Sequence, residues 1–490
     1  MKPMNHLTIN WCNYLIISLG LFFLYLSIYK ASHCAFTHDE SFTYLSYVKK
    51  NIMGIISMEE PVSANNHILN TIGMKVVDKL ISPTPFHLRI PNLVSHLLFI
   101  FFSALLVSGF KNNFLKLISF VLLNSNIYLI DFFSLARGYG LSLGFLMMHW
   151  YFLIETFKTN FERKTFLLMA TSLFLAMTAN FSLIYYTIAL MIFYLILGFK
   201  INYKSHKTNN QNAIFQFKVL FGLLIFSILF FYTPISKLVK FDQLYFGGTN
   251  NLLDDTIYSL VYYSSISITT IEGKITLVYT IVLAILLLLL LVFLFRIFKR
   301  ENIKTSSIFI SLFLIILCIQ TALFYLFNSK FLIQRTAIFL IPLFTLCIIN
   351  VINESDNYFL HLFSGIISTL LLYFTISFTP MNYSINWKYD ADNETLLSDL
   401  NRIHINSPTK NKLRLGIDWI FQPSLNYYRL TSNANLWLDT LTKEGFYDKD
   451  YSFYFVESSN ISKFVNSKKF KVIKTYPTSN NILIKKIKFD

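Results

Sequence analysis

Charge is what this chain has least of. Only 14% of its 490 residues are Asp, Glu, Lys or Arg, against 54% hydrophobic and 17% aromatic. That balance excludes an ordinary soluble domain of this length and points to a chain crossing a membrane several times. Acid is the scarcer sign, 26 residues against 42 Lys and Arg, for a formal net charge of +16. The excess is not a nucleic-acid footprint. Most of it lies in short loops between apolar runs and in the tail, where it reports topology and contact with anionic lipid headgroups. Cysteine is nearly absent: Cys12, Cys34, Cys318 and Cys347 are scattered without ligand spacing, so neither a disulfide framework nor a zinc site is supported. P-loop, dinucleotide fingerprint, metalloprotease helix and G-x-S-x-G elbow are all missing.

What the chain does have is long apolar runs. The first, "WCNYLIISLGLFFLYLSIY" (11–29), is too long for a signal-peptide core and lacks a small-residue cleavage site, so it reads as an uncleaved membrane helix. Further runs lie near 90–110, 114–130, 139–157, 165–180, 181–199, 214–234, 275–295, 306–327, 336–352 and 359–378, about eleven in all. Lys111 and Lys116, then Lys158, Arg163 and Lys164, then Lys200, Lys204 and Lys207, then Arg296, Lys299, Arg300 and Lys304 fall in alternate loops. The positive-inside rule makes those loops and the N-terminus cytoplasmic and puts the C-terminus on the other side. Residues 30–89, 235–274 and 379–490 then share the outer face of the cell's inner (plasma) membrane.

The expected fold is mainly α and polytopic: a membrane domain over 1–378 and a small extracytoplasmic α/β domain over 379–490. In the latter, "KLRLGIDW" (412–419), "DYSFYFVE" (450–457) and a pair around "PTSNN" read as strands, and "ETLLSDLNRI" (394–403) as a helix. The first outer loop, 30–89, keeps apolar spacing along "FTYLSYVKKNIMGII" and "HILNTIGMKVVDKLI", which suits interfacial helices lying on the membrane.

That loop opens with Asp39 and Glu40 side by side. Arg89 closes it, Arg137 sits in "FFSLARGYGLSL" at the next outer helix junction, and Arg335 lies in "KFLIQRTAIFLIP". A guanidinium so near hydrocarbon is costly without an anion. If the helix ends converge, three cations and an acidic pair face one cavity, an arrangement suited to a lipid-linked phosphate held by Arg forks beside a working carboxylate. Each residue also has a plainer reading: the acids as solvated loop residues, the arginines as snorkelling side chains, His67 as a loop hydrogen-bonder.

In order and spacing these residues resemble a family. The acidic pair after helix one, "RIPNL" (89–93), "ARGY" (136–139), "ANFSLIYY" (179–186) and "QRTAIFLIPLF" (334–344) are similar to elements of the GT-C integral-membrane glycosyltransferases, nearest the protein O-mannosyltransferases and the lipid A aminoarabinose transferases. The resemblance implies transfer of a sugar from a polyprenyl phosphate to a periplasmic acceptor (lipid A, a glycan or a protein) by inverting in-line displacement. Asp39 would be the general base, and Glu40 would orient it or raise its pKa. Arg137, Arg335 and Arg89 would hold the departing phosphate, and His67, Asn66 and Tyr139 would contact acceptor or phosphate. A divalent ion held by Asp39, Glu40 and His67 stays open, since their spacing predicts nothing specific, and no other cofactor is called for. Two departures stand out: "EEPVSANNH" (59–67) replaces the Lys-Pro-Pro element of the aminoarabinose branch, and no outer loop is long enough for the β-trefoil of eukaryotic mannosyltransferases. "DAD" (390–392) has the letters of a nucleotide-sugar motif but lies in the linker to the outer domain, where such donors are not expected. A flippase of a lipid-linked saccharide and a cell-envelope scaffold are the rival readings.

Overall fold

Among the described residues of the computed structural model, six helices are long and apolar enough to cross a membrane: Trp11–His33, Pro85–Ser108, Lys218–Lys240, Lys274–Phe298, Thr305–Phe327 and Tyr358–Phe378. The structure describes residues 11–159, 162–204, 210–265, 272–301, 303–406, 412–443, 451–465 and 469–487. Lys207 and Asp450 lie outside them. In chain order the helices are α1 (Trp11–His33), α2 (His38–Thr43), α3 (Ile52–Ile56), α4 (Ile68–Leu80), α5 (Pro85–Ser108), α6 (Asn113–Asn124), α7 (Ile127–Phe133), α8 (Gly138–Lys158), α9 (Arg163–Ala179) and α10 (Ile184–Lys204). They continue with α11 (Asn210–Lys240), α12 (Tyr258–Ser265), α13 (Glu272–Phe298), α14 (Thr305–Phe327), α15 (Leu340–Glu354), α16 (Tyr358–Phe378), α17 (Asn393–Asn406) and α18 (Gln422–Thr431).

The count of spans differs from the eleven apolar runs for two reasons. The run 114–130 is broken: α6 and α7 meet at a 63° bend, and only as a bent pair do they make a seventh span. Asn126 starts α7 afresh by accepting the amides of Tyr128 and Leu129, which a continuous helix would pass to earlier carbonyls. The runs at 139–157, 165–180, 181–199 and 336–352 are helices, but shorter or less apolar than free-standing spans. Most of α8 is buried against its neighbours, whereas only 6% of the α13 window is. A helix covered by protein has less need of lipid-compatible side chains, and α8 carries Ser142 and His149 inside the bundle.

Basic loops meet at one end of the bundle. Lys111 pairs with Asp356 at 2.6 Å and Arg296 with Glu354 at 3.0 Å, tying the α5–α6, α13–α14 and α15–α16 connections together. At the other end lie the first loop, the α7–α8 junction and the C-terminal segment.

That segment holds a four-stranded sheet of β1 (Leu415–Ile417), β2 (Phe453–Val456), β3 (Phe470–Thr475) and β4 (Ile482–Lys486) in the order β1-β2-β4-β3. β1 and β2 run parallel, and the other pairs antiparallel. Its core does not stand alone. Phe36, Tyr44, Val48 and Met74 of the first loop share one apolar cluster with Leu396, Leu425, Tyr427 and Phe455. Phe36 packs at a tilt against Tyr427, ring centroids 4.3 Å apart, and its amide donates to Tyr428 Oη at 2.7 Å. Deeper, Lys30 of α1 pairs with Asp131 of α7 at 3.0 Å, both fully buried. Lys30 also donates to the carbonyls of Pro380 and Tyr383, and Asp131 accepts from Ser384 Oγ at 2.9 Å. Two charges absent from the sequence-based list thus pin the chain where it leaves α16.

Candidate active site

The acidic pair separates because a helix begins there. Thr37 caps α2: its amide donates to Glu40 Oε2 at 3.0 Å, and its Oγ1 accepts the Glu40 amide, a reciprocal capping box. This turns Glu40 back toward the helix start and into the protein. There its carboxylate takes Arg89 Nε at 2.8 Å, Arg89 Nη2 at 2.7 Å and the Ala136 amide at 2.6 Å. Arg89 gives its remaining donors to the carbonyls of Ala31, Cys34 and Ala35. Both side chains are fully buried, and no N–H of Arg89 is left over for a phosphate.

Asp39, one residue earlier, faces the other way. Its Oδ1 accepts from Asn65 Nδ2 at 3.2 Å, and its Oδ2 lies 3.3 Å from Arg137 Nη2. Arg137, fully buried, also reaches the Asp39 carbonyl, Thr43 Oγ1, both oxygens of Asn65 and His67 Nε2, all at 3.2–3.3 Å. Within this cluster, Asp39 Oδ2, apart from its ion-pair contact, and Arg137 Nε have no hydrogen-bond partner among the described residues. An ion pair with an open acceptor and an open donor is unusual in a protein interior. Burial pushes the Asp39 carboxyl up, but Arg137, then Arg335 and His38, with the Asn65 hydrogen bond, bring it below the usual carboxylate range. The expected lift from Glu40 is absent because Arg89 neutralises that charge.

His67 donates from Nδ1 to the Ala179 carbonyl at 3.0 Å, which leaves Nε2 to accept from Arg137. Burial, and after it the charge of Arg137, holds the imidazole well below its ordinary pKa, so His67 is neutral and a fixed acceptor. Tyr139 stands edge-on to it at 4.6 Å. Gly138, the first residue of α8, lets this happen: a Cβ there would lie 1.9 Å from the Ala179 oxygen and 2.5 Å from His67 Cγ. Gly138→Ala therefore displaces His67 and its Arg137 contact. The expected outcome is a lower melting temperature, a cost of about 1–3 kcal/mol of overpacking, together with lost activity; a melting curve indistinguishable from that of the parent protein refutes it.

Arg335 completes the group from the turn before α15. It is half-buried, 4.1 Å from the ring of Phe246 and 5.3 Å from that of Trp387, so segments 235–274 and 379–490 meet at this residue. Burial works against its charge, but Tyr139 and Asp39 nearby raise its pKa overall. Unlike Arg89 and Arg137, it has no carboxylate partner among the described residues.

The structure thus brings together Asp39, Arg137, His67, Tyr139 and Arg335, and directs Glu40 and Arg89 inward. Asn66 turns away: its side chain donates to the Ile55 carbonyl at 2.8 Å and accepts from Thr71 Oγ1 at 2.9 Å. Its neighbour Asn65 makes the site contacts instead, and a choice between adjacent asparagines depends on the turn at 63–66, which spacing does not reveal. Trp387 was also missed, for want of any motif around it. No group of three or more His, Cys, Asp or Glu side chains among the described residues is placed to hold a metal ion. A divalent ion at Asp39, Glu40 and His67 fits poorly, since Arg89 occupies Glu40 and His67 Nε2 faces a guanidinium.

Two solved structures share this architecture. They are ArnT from Cupriavidus metallidurans bound to undecaprenyl phosphate, 9% identical with a TM-score of 0.50, and the same protein in the apo state, 8% identical with a TM-score of 0.50. Each alignment covers 96% of this chain and 97% of the other. At such identity the likeness is one of fold: the chain shares the polytopic, mainly helical architecture of those structures. No family model matches the sequence, and no curated protein matches it significantly.

Proposed function

We propose that this chain is a membrane glycosyltransferase that moves a sugar from a polyprenyl phosphate to an acceptor outside the plasma membrane. The acceptor is a lipid such as lipid A, a glycan or a protein. The observation that carries the reading is the open ion pair, Asp39 Oδ2 and Arg137 Nε both buried without hydrogen-bond partners, beside the guanidinium of Arg335, which has no carboxylate partner among the described residues. The fold shared with a protein crystallised with undecaprenyl phosphate supports the donor class. The basic loops at the far end of the bundle support a cytoplasmic N-terminus, a membrane domain over 1–378 and an outer domain over 379–490.

In this mechanism the acceptor hydroxyl donates to Asp39 Oδ2. As its oxygen bonds the anomeric carbon, the proton passes to Asp39. The bond from that carbon to the phosphate oxygen breaks, and its electron pair leaves with the polyprenyl phosphate. Attack from the opposite face inverts the anomeric centre. The growing charge on the phosphate falls to Arg335 and to the free Nε of Arg137, fixed donors that need no reorganisation. His67 and Asn65 hold Arg137, and the Glu40–Arg89 pair holds the helix that carries Asp39. Tyr139, against both His67 and Arg335, contacts the phosphate or the acceptor.

Purified protein supplied with a radiolabelled polyprenyl-phosphate sugar tests this. An enzyme releases polyprenyl phosphate, a flippase moves the label intact, and a scaffold does neither. Arg335→Gln should cut turnover by about 10²–10³-fold, as loss of one fixed charge-stabilising donor does. Arg335→Lys should restore only part, since an ammonium does not reproduce a planar guanidinium over the rings of Phe246 and Trp387. Full turnover in Arg335→Gln would remove that residue from the site.

A further inference from the structure

The outer domain grips the first residue of the short helix bearing Asp39, and the chain just before it, at three points. The amide of His38, first residue of α2, donates to Asp390 Oδ2 at 2.6 Å. The His38 ring donates from Nδ1 to the Ile420 carbonyl at 2.6 Å, and the Phe36 amide donates to Tyr428 Oη at 2.7 Å. Leading amides of a helix have no partner within it. Here the partners of two consecutive anchor points come from more than 350 residues away. Asp390 is itself held from the far side: its Oδ1 takes Ser424 Oγ at 2.7 Å and Asn393 Nδ2 at 2.8 Å, and the residue is 1% exposed. α2 is six residues long and continues only into a five-residue π-helical turn, Tyr44–Val48, too short a helical segment to fix its orientation by its own hydrogen bonds.

We propose that Asp390 is a positioning residue for Asp39: by holding the first amide of α2 it lets the outer domain set where the acid stands. The proposal rests on the role given to Asp39 above and adds a function for the C-terminal segment that no motif in it suggested. The aspartate of the "DAD" stretch thereby acquires a use unrelated to nucleotide sugars. Its surroundings also say which substitution is mild. Burial pushes the Asp390 carboxyl up to about 8, against the pull of Ser424, the His38 amide and Asn393, so the site tolerates a neutral side chain whose oxygen accepts the His38 amide. An amide oxygen reproduces that; a methyl group does not.

The test compares Asp390→Ala with Asp390→Asn in the full chain, by hydrogen exchange of the backbone over residues 36–43 and by steady-state sugar transfer. Asp390→Ala should speed exchange there and lower kcat by about tenfold to a hundredfold, the effect of a displacement near 1 Å, with the donor KM unchanged. Asp390→Asn should retain protection and most of the turnover. Unchanged exchange over 36–43 in Asp390→Ala overturns the proposal, whatever reaction the protein performs. So does wild-type kcat in that variant, or equal loss of kcat and donor binding in both variants, which marks general misfolding. If the parent protein transfers no sugar while exchange follows the expected pattern, the clamp stands and the glycosyltransferase reading fails.

Discussion

Asp39→Asn should lower sugar transfer by about 10²–10⁴-fold, the usual contribution of a positioned general base, while membrane insertion and donor binding stay close to those of the parent protein. The substitution is nearly isosteric. Its amide oxygen can still meet Asn65 and its backbone still serves Arg137, so geometry survives and only the proton acceptor is lost. The pH profile gives an independent signature. Arg137 and Arg335 favour the ionised acid and bring its pKa below the usual carboxylate range, so the rate should hold as pH falls and decline only below about pH 4, where an unperturbed Asp titrates. His67 is held neutral well below its ordinary pKa, so no limb should appear near pH 6.5. Transfer at parental rates by Asp39→Asn, or a limb near pH 6.5 that vanishes in His67→Gln, would assign proton transfer to a different group.

The same electrostatics explain what was legible in the sequence. In a chain with so little charge, an Asp-Glu pair beside a helix end and arginines at other helix ends stand out, because hydrocarbon tolerates neither without a reason. Asp39, Arg137 and Arg335 were found that way. Which of two adjacent acids faces Arg137 was also written there, in a signal that was passed over. Thr37 followed three residues later by Glu40 is a capping box, which turns Glu40 into the protein and leaves Asp39 facing away. Pairings across the chain were not legible. Lys30 with Asp131, Glu40 with Arg89 and His38 with Asp390 join residues 101, 49 and 352 positions apart. Only the packed bundle decides them. The break between α6 and α7 is similar in kind, since an Asn–Ser–Asn inside an apolar run permits a cap without requiring one.

Removing either member of the Glu40–Arg89 pair should have the largest effect on stability. Glu40→Ala leaves a guanidinium fully buried with Nε and one Nη2 hydrogen unpaired, and strips Thr37 of the partner for its amide and hydroxyl. Arg89→Ala leaves a buried carboxylate facing only the Ala136 amide and Thr37, and frees the carbonyls of Ala31, Cys34 and Ala35. Breaking such a buried pair costs about 3–5 kcal/mol, a large share of the about 5–15 kcal/mol that holds a typical domain. The two roles offered for Arg89 separate cleanly on this point. A phosphate ligand, once replaced, gives folded protein with weaker donor binding, like Arg335→Gln. A positioning pair gives thermal melting lowered to a similar degree by Glu40→Ala and Arg89→Ala, and combining the two costs less than the sum because one charge no longer strands the other. Well-folded Arg89→Ala with only a raised donor KM would return Arg89 to the phosphate.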